Sequence, residues 1–280
     1  MSIVPEILAL TRTIHDEFTL PRVGRVYVPP VRHDKAHADF GLVILDDGSA
    51  GLFYVSQQEP LSRLRDVTKE TTAGSPAWEL AGELNSDDAG RRGLAFGAVS
   101  AITQYFLKRA GYKMPTRRSM DYTPQDHVGM VGLFPTLVDR LRQRGIPLTV
   151  IEQRTELMRS DTNFQVTLDP AQLVTCNKIL CTAATLLNDT IDDILPHCTN
   201  ATWITVIGPS AGCLPDPLFA RGVHAVGGSR VIDADALLAR MQAGEPWRDS
   251  VEKYVIEASQ YPGFAALRTR AHTIKGSAAN

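Results

Sequence analysis

Apolar residues in the first stretch of the chain fall at Ile7, Leu8, Leu10, Ile14 and Phe18, the spacing of an amphipathic helix over residues 4–19. The period then shortens to two. Residues 23–29 alternate around Val26 and Val28, and apolar runs at 40–45 and 51–55 flank Asp46-Asp47-Gly48-Ser49. An Asp-Gly turn between apolar runs predicts a hairpin, so the three runs read as an antiparallel meander. Ser75-Pro76 predicts an N-cap and a first helical turn ahead of Trp78, Leu80 and Leu84. Asp87-Asp88 then caps a longer helix through Leu94, Ala98, Ile102, Tyr105 and Phe106 to Gly111. Its small residues Gly93, Ala95, Gly97, Ala98 and Ala101 would let it lie close on the meander. The order β-β-β-α-α predicts an α+β N-terminal domain over residues 1–112. Residues 113–125, with two prolines and Arg117-Arg118, read as a linker.

From Asp126 the grammar changes to alternating strand and helix. Strands are expected at 127–131, 148–152, 178–182, 203–207, 223–226 and 230–232, with helices opened by Pro135, Asp169-Pro170 and Thr190 between them. Such alternation implies right-handed crossovers and an α/β Rossmann-like domain with a mainly parallel sheet over residues 126–260. Residues 234–242 and 247–258 read as closing helices, and 261–280 as a C-terminal tail rich in Ala, Arg and Ser, mobile at its end.

Composition narrows the class. The 280 residues are 44% hydrophobic and 21% charged, with a net charge of −2 and scattered basic residues, which argues against nucleic acid as a partner. No run reaches the roughly 18–20 apolar residues of a membrane span, and no signal peptide is visible, so a cytoplasmic protein is expected. Cys176, Cys181, Cys198 and Cys213 are then expected as reduced, buried thiols.

Three strand-end loops carry the candidate chemistry. The first follows Val128-Gly129-Met130-Val131-Gly132, where glycine lets the backbone approach a ligand and the next helix aims its N–H groups at an anion. Glu152 ends the next strand, 20 residues after Gly132. An acidic residue near that spacing binds ribose hydroxyls in dinucleotide folds, although G-x-x-G is not the full fingerprint. The alternative is turn geometry for the glycines and a solvated end for Glu152. The second loop packs Thr182, Thr185, Asn188, Asp189 and Thr190 into nine residues. That is more polar side chains than a cap needs, although Asn188 or Asp189 could simply cap the helix. The third, Gly208-Pro209-Ser210-Ala211-Gly212-Cys213, presents Ser210 and Cys213 outside any hydrolase motif, and Cys213 reads first as a small buried residue. His33 and His37 stand four apart in a stretch that reads as loop, and no closed metal motif is readable.

The stretches Val128 to Pro135, Ile151-Glu152, Thr185 to Thr190, Gly208-Pro209-Ser210, Gly222-Val223 and Gly227-Gly228, in this order and spacing, resemble the "putative heavy-metal chelation" family of prokaryotes. The match spans most of residues 126–245. It implies an enolase-N-terminal-like domain before the Rossmann-like one, and a site in the cleft between them. It picks out Gly129, Gly132, Glu152, Thr185, Asn188, Thr190, Gly208, Pro209 and Ser210. Glu83 and Asn85, ending a front helix that could face the cleft, are added to these.

The expected function is a small-ligand-binding protein, its cleft holding or processing a metal ion, metal chelate or small anionic metabolite. The alternative is an enzyme of small-molecule metabolism using S-adenosylmethionine or a dinucleotide. A third reading is an assembly or regulatory subunit. Candidate proton carriers or nucleophiles are Glu83, His127, Asp189, Ser210 and Cys213, and no two form a recognisable pair. The cofactor stays open between a metal ion and a nucleotide-like ligand, and a homodimer is the base-rate expectation.

Overall fold

The computed structural model describes residues 2–30, 39–55, 64–66, 68, 73–115 and 120–277. The chain opens with α1 (Ile3–Glu17), which buries Ile3, Val4, Ile7 and Ile14, and continues into β1 (Val23–Tyr27), β2 (Asp39–Leu45) and β3 (Ala50–Val55). These three form an antiparallel sheet in the order β1-β2-β3, with Asp39 opposite Val55 and Ile44 opposite Ala50 around the Asp-Gly turn. Helix α2 (Ala77–Gly82) follows, then α3 (Ala89–Arg109), capped by Asp88 accepting from the N–H of Arg91 at 3.0 Å. At α2 the cap differs from expectation. Pro76 is the cap residue and the Ser75 hydroxyl, buried with no partner among the described residues, bonds no helix N–H.

Helix α3 lies close on β3 because both surfaces lack side chains where they meet. A Cβ on Gly51 would come within 2.1 Å of the Gly97 carbonyl, and one on Gly97 within 2.6 Å of the Phe53 ring. Real Cβ atoms do not come so near, so the glycines set the helix–sheet distance.

The second sheet has eight strands: β4 (Val128–Val131), β5 (Leu148–Ile151), β6 (Arg159–Asp161), β7 (Phe164–Thr167), β8 (Lys178–Thr182), β9 (Trp203–Ile207), β10 (Ala225–Val231) and β11 (Val251–Glu257). Their order is β11-β10-β9-β8-β4-β5-β7-β6, with β4, β5, β7, β8, β9 and β10 parallel and the edge strands β6 and β11 antiparallel. The six parallel strands alone, numbered in chain order, run 3-2-1-4-5-6, the order of the doubly wound dinucleotide-binding fold. Direction along the sheet reverses between β4 and β8. Helices α4 (Pro135–Gln143), α5 (Ala184–Leu187), α6 (Ile191–Ile194) and α7 (Asp216–Phe219) lie in crossovers between parallel strands, and α8 (Ala234–Ala243) joins β10 to the antiparallel β11.

Three expectations are corrected. Within residues 247–258, Val251–Glu257 form β11 rather than a helix. Their apolar positions at Val251, Tyr254 and Val255 mimic helical spacing, but seven antiparallel pairs with β10 decide the conformation. The two strands expected at 223–226 and 230–232 merge into one continuous strand, β10, over Ala225–Val231. The expected tail contains α9 (Phe264–Ser277), whose Leu267 and Ala271 are fully buried. It is clasped to α1 where Glu17 accepts from Arg268 and from His272 Nε2 at 2.9 Å.

One hydrophobic core joins the two sheets, running from Ile7 and Phe53 through Ala98 and Ile102 to Val206, Cys213 and Leu267. Among the described residues no helix is long and apolar enough to cross a membrane.

Candidate functional site

Helix α3 runs across the carboxyl ends of three parallel strands. Near its start Arg92 donates Nε to the carbonyl of Leu187, beyond β8, at 3.2 Å, and Nη1 to Ser86 at 2.9 Å. At mid-helix Ser100 fits against the loop after β9 so closely that a Cβ on Gly212 would meet its Oγ at 2.5 Å. Towards its end Gln104 donates to the carbonyl of Val231, the last residue of β10, at 2.6 Å. The end of β9 is therefore sealed. Ser210 is 2% exposed and Cys213 4%, and burial pushes the Cys213 thiol up to about 12, far from a thiolate at neutral pH. Gly208 and Pro209, at the start of the same loop, are half-buried. A Cβ on Gly208 would stand 3.1 Å from that of Ala183, which joins this loop to the one after β8.

The ends of β4, β5 and β8 form a second, tighter group at the point where the strand order reverses. Gly132 has φ +80, a backbone state that disfavours any side chain, and a Cβ there would lie 2.9 Å from Thr182 Cγ2. Its N–H bonds Ile151, while that of Leu133 points at Glu152 Oε2, 3.3 Å away. The carboxylate also accepts from the N–H of Gln153 at 3.0 Å and from Arg154 Nη2 at 3.1 Å. Burial alone would raise the Glu152 carboxyl. The Arg154 guanidinium and the backbone N–H groups of Gln153 and Arg154 outweigh it and hold the group below the ordinary carboxylate range. Gly129, by contrast, is an interior packing position. A Cβ would meet Ile179 at 2.6 Å and Leu173 at 2.8 Å.

The polar cluster after β8 is largely engaged with itself. Thr182 Oγ1 accepts from the N–H of Ala184 at 3.3 Å, and the buried Thr185 donates to the Thr182 carbonyl at 2.7 Å. Asp189, with φ 56, is the one non-glycine residue with positive φ among the described residues. The bond from Thr190 N–H to Thr185 O, 3.0 Å, makes it the left-handed residue of a Schellman turn closing α5, which accounts for the conformation. The Asn188 amide, oriented so that its nitrogen donates, reaches Thr190 Oγ1 at 2.7 Å and the carbonyls of Thr185 and Ala184 at 3.2 Å each. The side chains of Asn188 and Asp189 remain exposed.

From the front of the molecule, Glu83 pairs with Arg91 at 3.7 Å and Asn85 is exposed, both just before α3. His127 sits at the opposite, amino edge of the sheet, its Nε2 3.0 Å from Thr149 Oγ1. The structure thus brings together Gly132, Thr182 and Glu152, with Asn188 and Asp189 close along the same chain, and sets Gly129, Ser210 and His127 apart. Arg92 and Arg154 were missed in the sequence. An arginine in a helix or loop reads as a solvated charge, and only the contacts of Arg92 to Leu187 and of Arg154 to Glu152 distinguish them. Among the described residues no three His, Cys, Asp or Glu side chains converge to hold a metal ion. His33 and His37 lie outside the described residues.

A family model described as "Putative heavy-metal chelation" (DUF364) matches residues 117–258. The chain belongs to this family. A DUF364 protein of unknown function from Pyrococcus horikoshii has a solved structure similar to this one, with a TM-score of 0.67 at 18% identity over 91% of this chain and 100% of the other. Another DUF364 protein of unknown function, from Desulfitobacterium hafniense, gives 0.65 at 16% identity over 90% and 98%. An uncharacterised protein of Methanocaldococcus jannaschii is 22% identical over 183 residues, 64% of this chain and 71% of its own length. The DUF364 structures share the fold of both sheets, and at such identities that is what they establish.

Proposed function

We propose that the protein binds a small polar ligand, a metal chelate or small anionic metabolite, at the carboxyl ends of β4, β5 and β8. The observation that carries this reading is Gly132. In a doubly wound sheet ligands bind where the strand order reverses. There the chain keeps a glycine at φ +80 whose backbone lies directly against Thr182, with no room for a side chain between them. Arg92, which donates to the Leu187 carbonyl beyond β8, supplies positive charge at that end of the sheet, Arg154 balances the Glu152 carboxylate, and the exposed Asn188 and Asp189 supply a rim. The family name speaks of heavy metals. The donors among the described residues suit a chelate, whose metal already has its ligands, better than a bare ion, which needs three or four converging side chains.

The test is thermal denaturation with iron(III) citrate, citrate alone, and bare iron, nickel and zinc ions, on the wild type and on Arg92→Gln and Asn188→Ala. A ligand held by the folded state raises the melting temperature. A rise with the chelate that shrinks in both variants supports the reading, and unchanged rises in both variants overturn the site. A second reading is an enzyme using S-adenosylmethionine or a dinucleotide. The strand order and the position of Glu152 at the end of β5 favour it. A ribose would have to displace Arg154 from that carboxylate. Stabilisation by S-adenosylmethionine or NAD alone, lost in Glu152→Gln, would select it. A division of the chain at residues 113–125, a homodimer and a cytoplasmic setting complete the proposal.

A further inference from the structure

Because α3 seals β9, it divides the carboxyl-edge crevice of the sheet into two compartments. The first holds Gly132 and Thr182. The second, beyond Gln104, is a groove of about 900 Å³, open to solvent on one side, between the β2–β3 turn, the last turns of α3 and the β10–α8 connection. That volume is in the range of small-molecule sites. The partition is rigid: Gln104 accepts from the Ala50 N–H and donates to Val231, and Gly212 leaves no room against Ser100.

The charges lining this groove are of both signs, and most are engaged. Arg25, brought round by the bulge at Gly24, pairs with Asp235. Asp47 holds the Ser49 N–H and hydroxyl at 2.9 and 2.8 Å, and Asp233 caps α8 through Ala236 N–H at 2.9 Å. Arg230 pairs with Glu252. Two exposed groups are left without a side-chain partner among the described residues, the Lys108 ammonium on α3 and the Asp46 carboxylate on the turn. An anion alone would meet four aspartates in this lining, and a polycation would meet Lys108, Arg25 and Arg230. A molecule with both charges satisfies both walls.

We infer that this compartment is a second binding site, and that it takes a small ammonium–carboxylate zwitterion of the free amino acid class, its carboxylate on Lys108 and its ammonium on Asp46. The inference is independent of the ligand proposed for the first compartment.

The experiment is thermal denaturation, then calorimetric titration, of the full chain with pooled common amino acids, with inorganic phosphate and spermidine as single-charge probes. A saturable shift with at least one amino acid is expected, lost when its carboxylate is amidated or its amine acetylated. Lys108→Ala and Asp46→Ala, both at exposed positions, should each weaken binding about tenfold, the effect of losing one charge-assisted contact. Arg12→Ala, a surface control on α1, should not. Circular dichroism checks that each variant is folded. No saturable shift with any amino acid, a shift that survives both groove variants, or stabilisation by phosphate or spermidine instead, would overturn the assignment.

Discussion

The N–H of Leu133 points at the Glu152 carboxylate from 3.3 Å, so the glycine loop of this protein carries its own anion. In dinucleotide folds that loop and the following helix face a pyrophosphate. Here a side chain from the neighbouring strand supplies negative charge beside them, itself neutralised by Arg154.

That pairing makes stability depend on pH in a definite direction. The Glu152 carboxyl lies lower in the folded than in the unfolded chain, so the unfolded state binds more protons across that interval and stability rises with pH. The contribution is complete above the ordinary glutamate range and disappears as pH falls through the folded value. Glu152→Gln should cost about 1–2 kcal/mol at neutral pH. The gap between variant and wild type in urea midpoints should narrow in acid. A gap that stays constant down to pH ~3, well below the usual carboxylate range, would refute this.

Gly132→Ala should destabilise by about 1–3 kcal/mol, since the backbone is left-handed and the new methyl meets Thr182. Thr182→Ser removes the Cγ2 that makes the 2.9 Å approach, so the double variant should recover part of the loss. Strict additivity in a double-mutant cycle would contradict the contact.

Ser100 and Gly212 offer a sharper case. The Ser100 hydroxyl is buried with no hydrogen-bond partner among the described residues, so Ser100→Ala should be neutral or mildly stabilising. Gly212→Ala should cost about 2 kcal/mol or more through overpacking. Ser100→Gly should relieve most of that cost, which chemical denaturation of the three variants would show.

The four cysteines should be inert in the native state. All are free and buried, and burial pushes Cys198 up to about 11 and Cys181 and Cys213 up to about 12. Iodoacetamide at mildly alkaline pH should leave the native protein unmodified by mass spectrometry and label all four sites in denaturant. Rapid native labelling of Cys213 would reopen a role for it.

What could be read in advance follows the range of the forces involved. Strands Lys178–Thr182 and Trp203–Ile207 stood out as short apolar runs, because a parallel strand covered on both faces records its burial locally. Strand Val251–Glu257 did not, since its identity rests on pairing with β10 at a distance. The closing helix hid in an Ala- and Arg-rich stretch, although Phe264, Leu267 and Ala271 keep helical spacing. At the site, the glycine loop and the polar cluster were visible as residue types. That Thr185 and Asn188 close their own turn, and that Ser210 is roofed by α3, depends on contacts between segments far apart in the chain.

Those distances bear on when the strand-end seal can form. Arg92 reaches Leu187 across 95 residues, and Gln104 reaches Val231 across 127. Each contact closes a long loop before it returns any stabilisation, so it adds to the contact order and not to the early local structure. The sheet can assemble strand by strand through neighbouring crossovers, whereas the helix bar across its edge is a late arrival. The second compartment, walled by Gln104 and Lys108 of the helix, depends on that step, so a chain stalled before it would have a native-like sheet without that site.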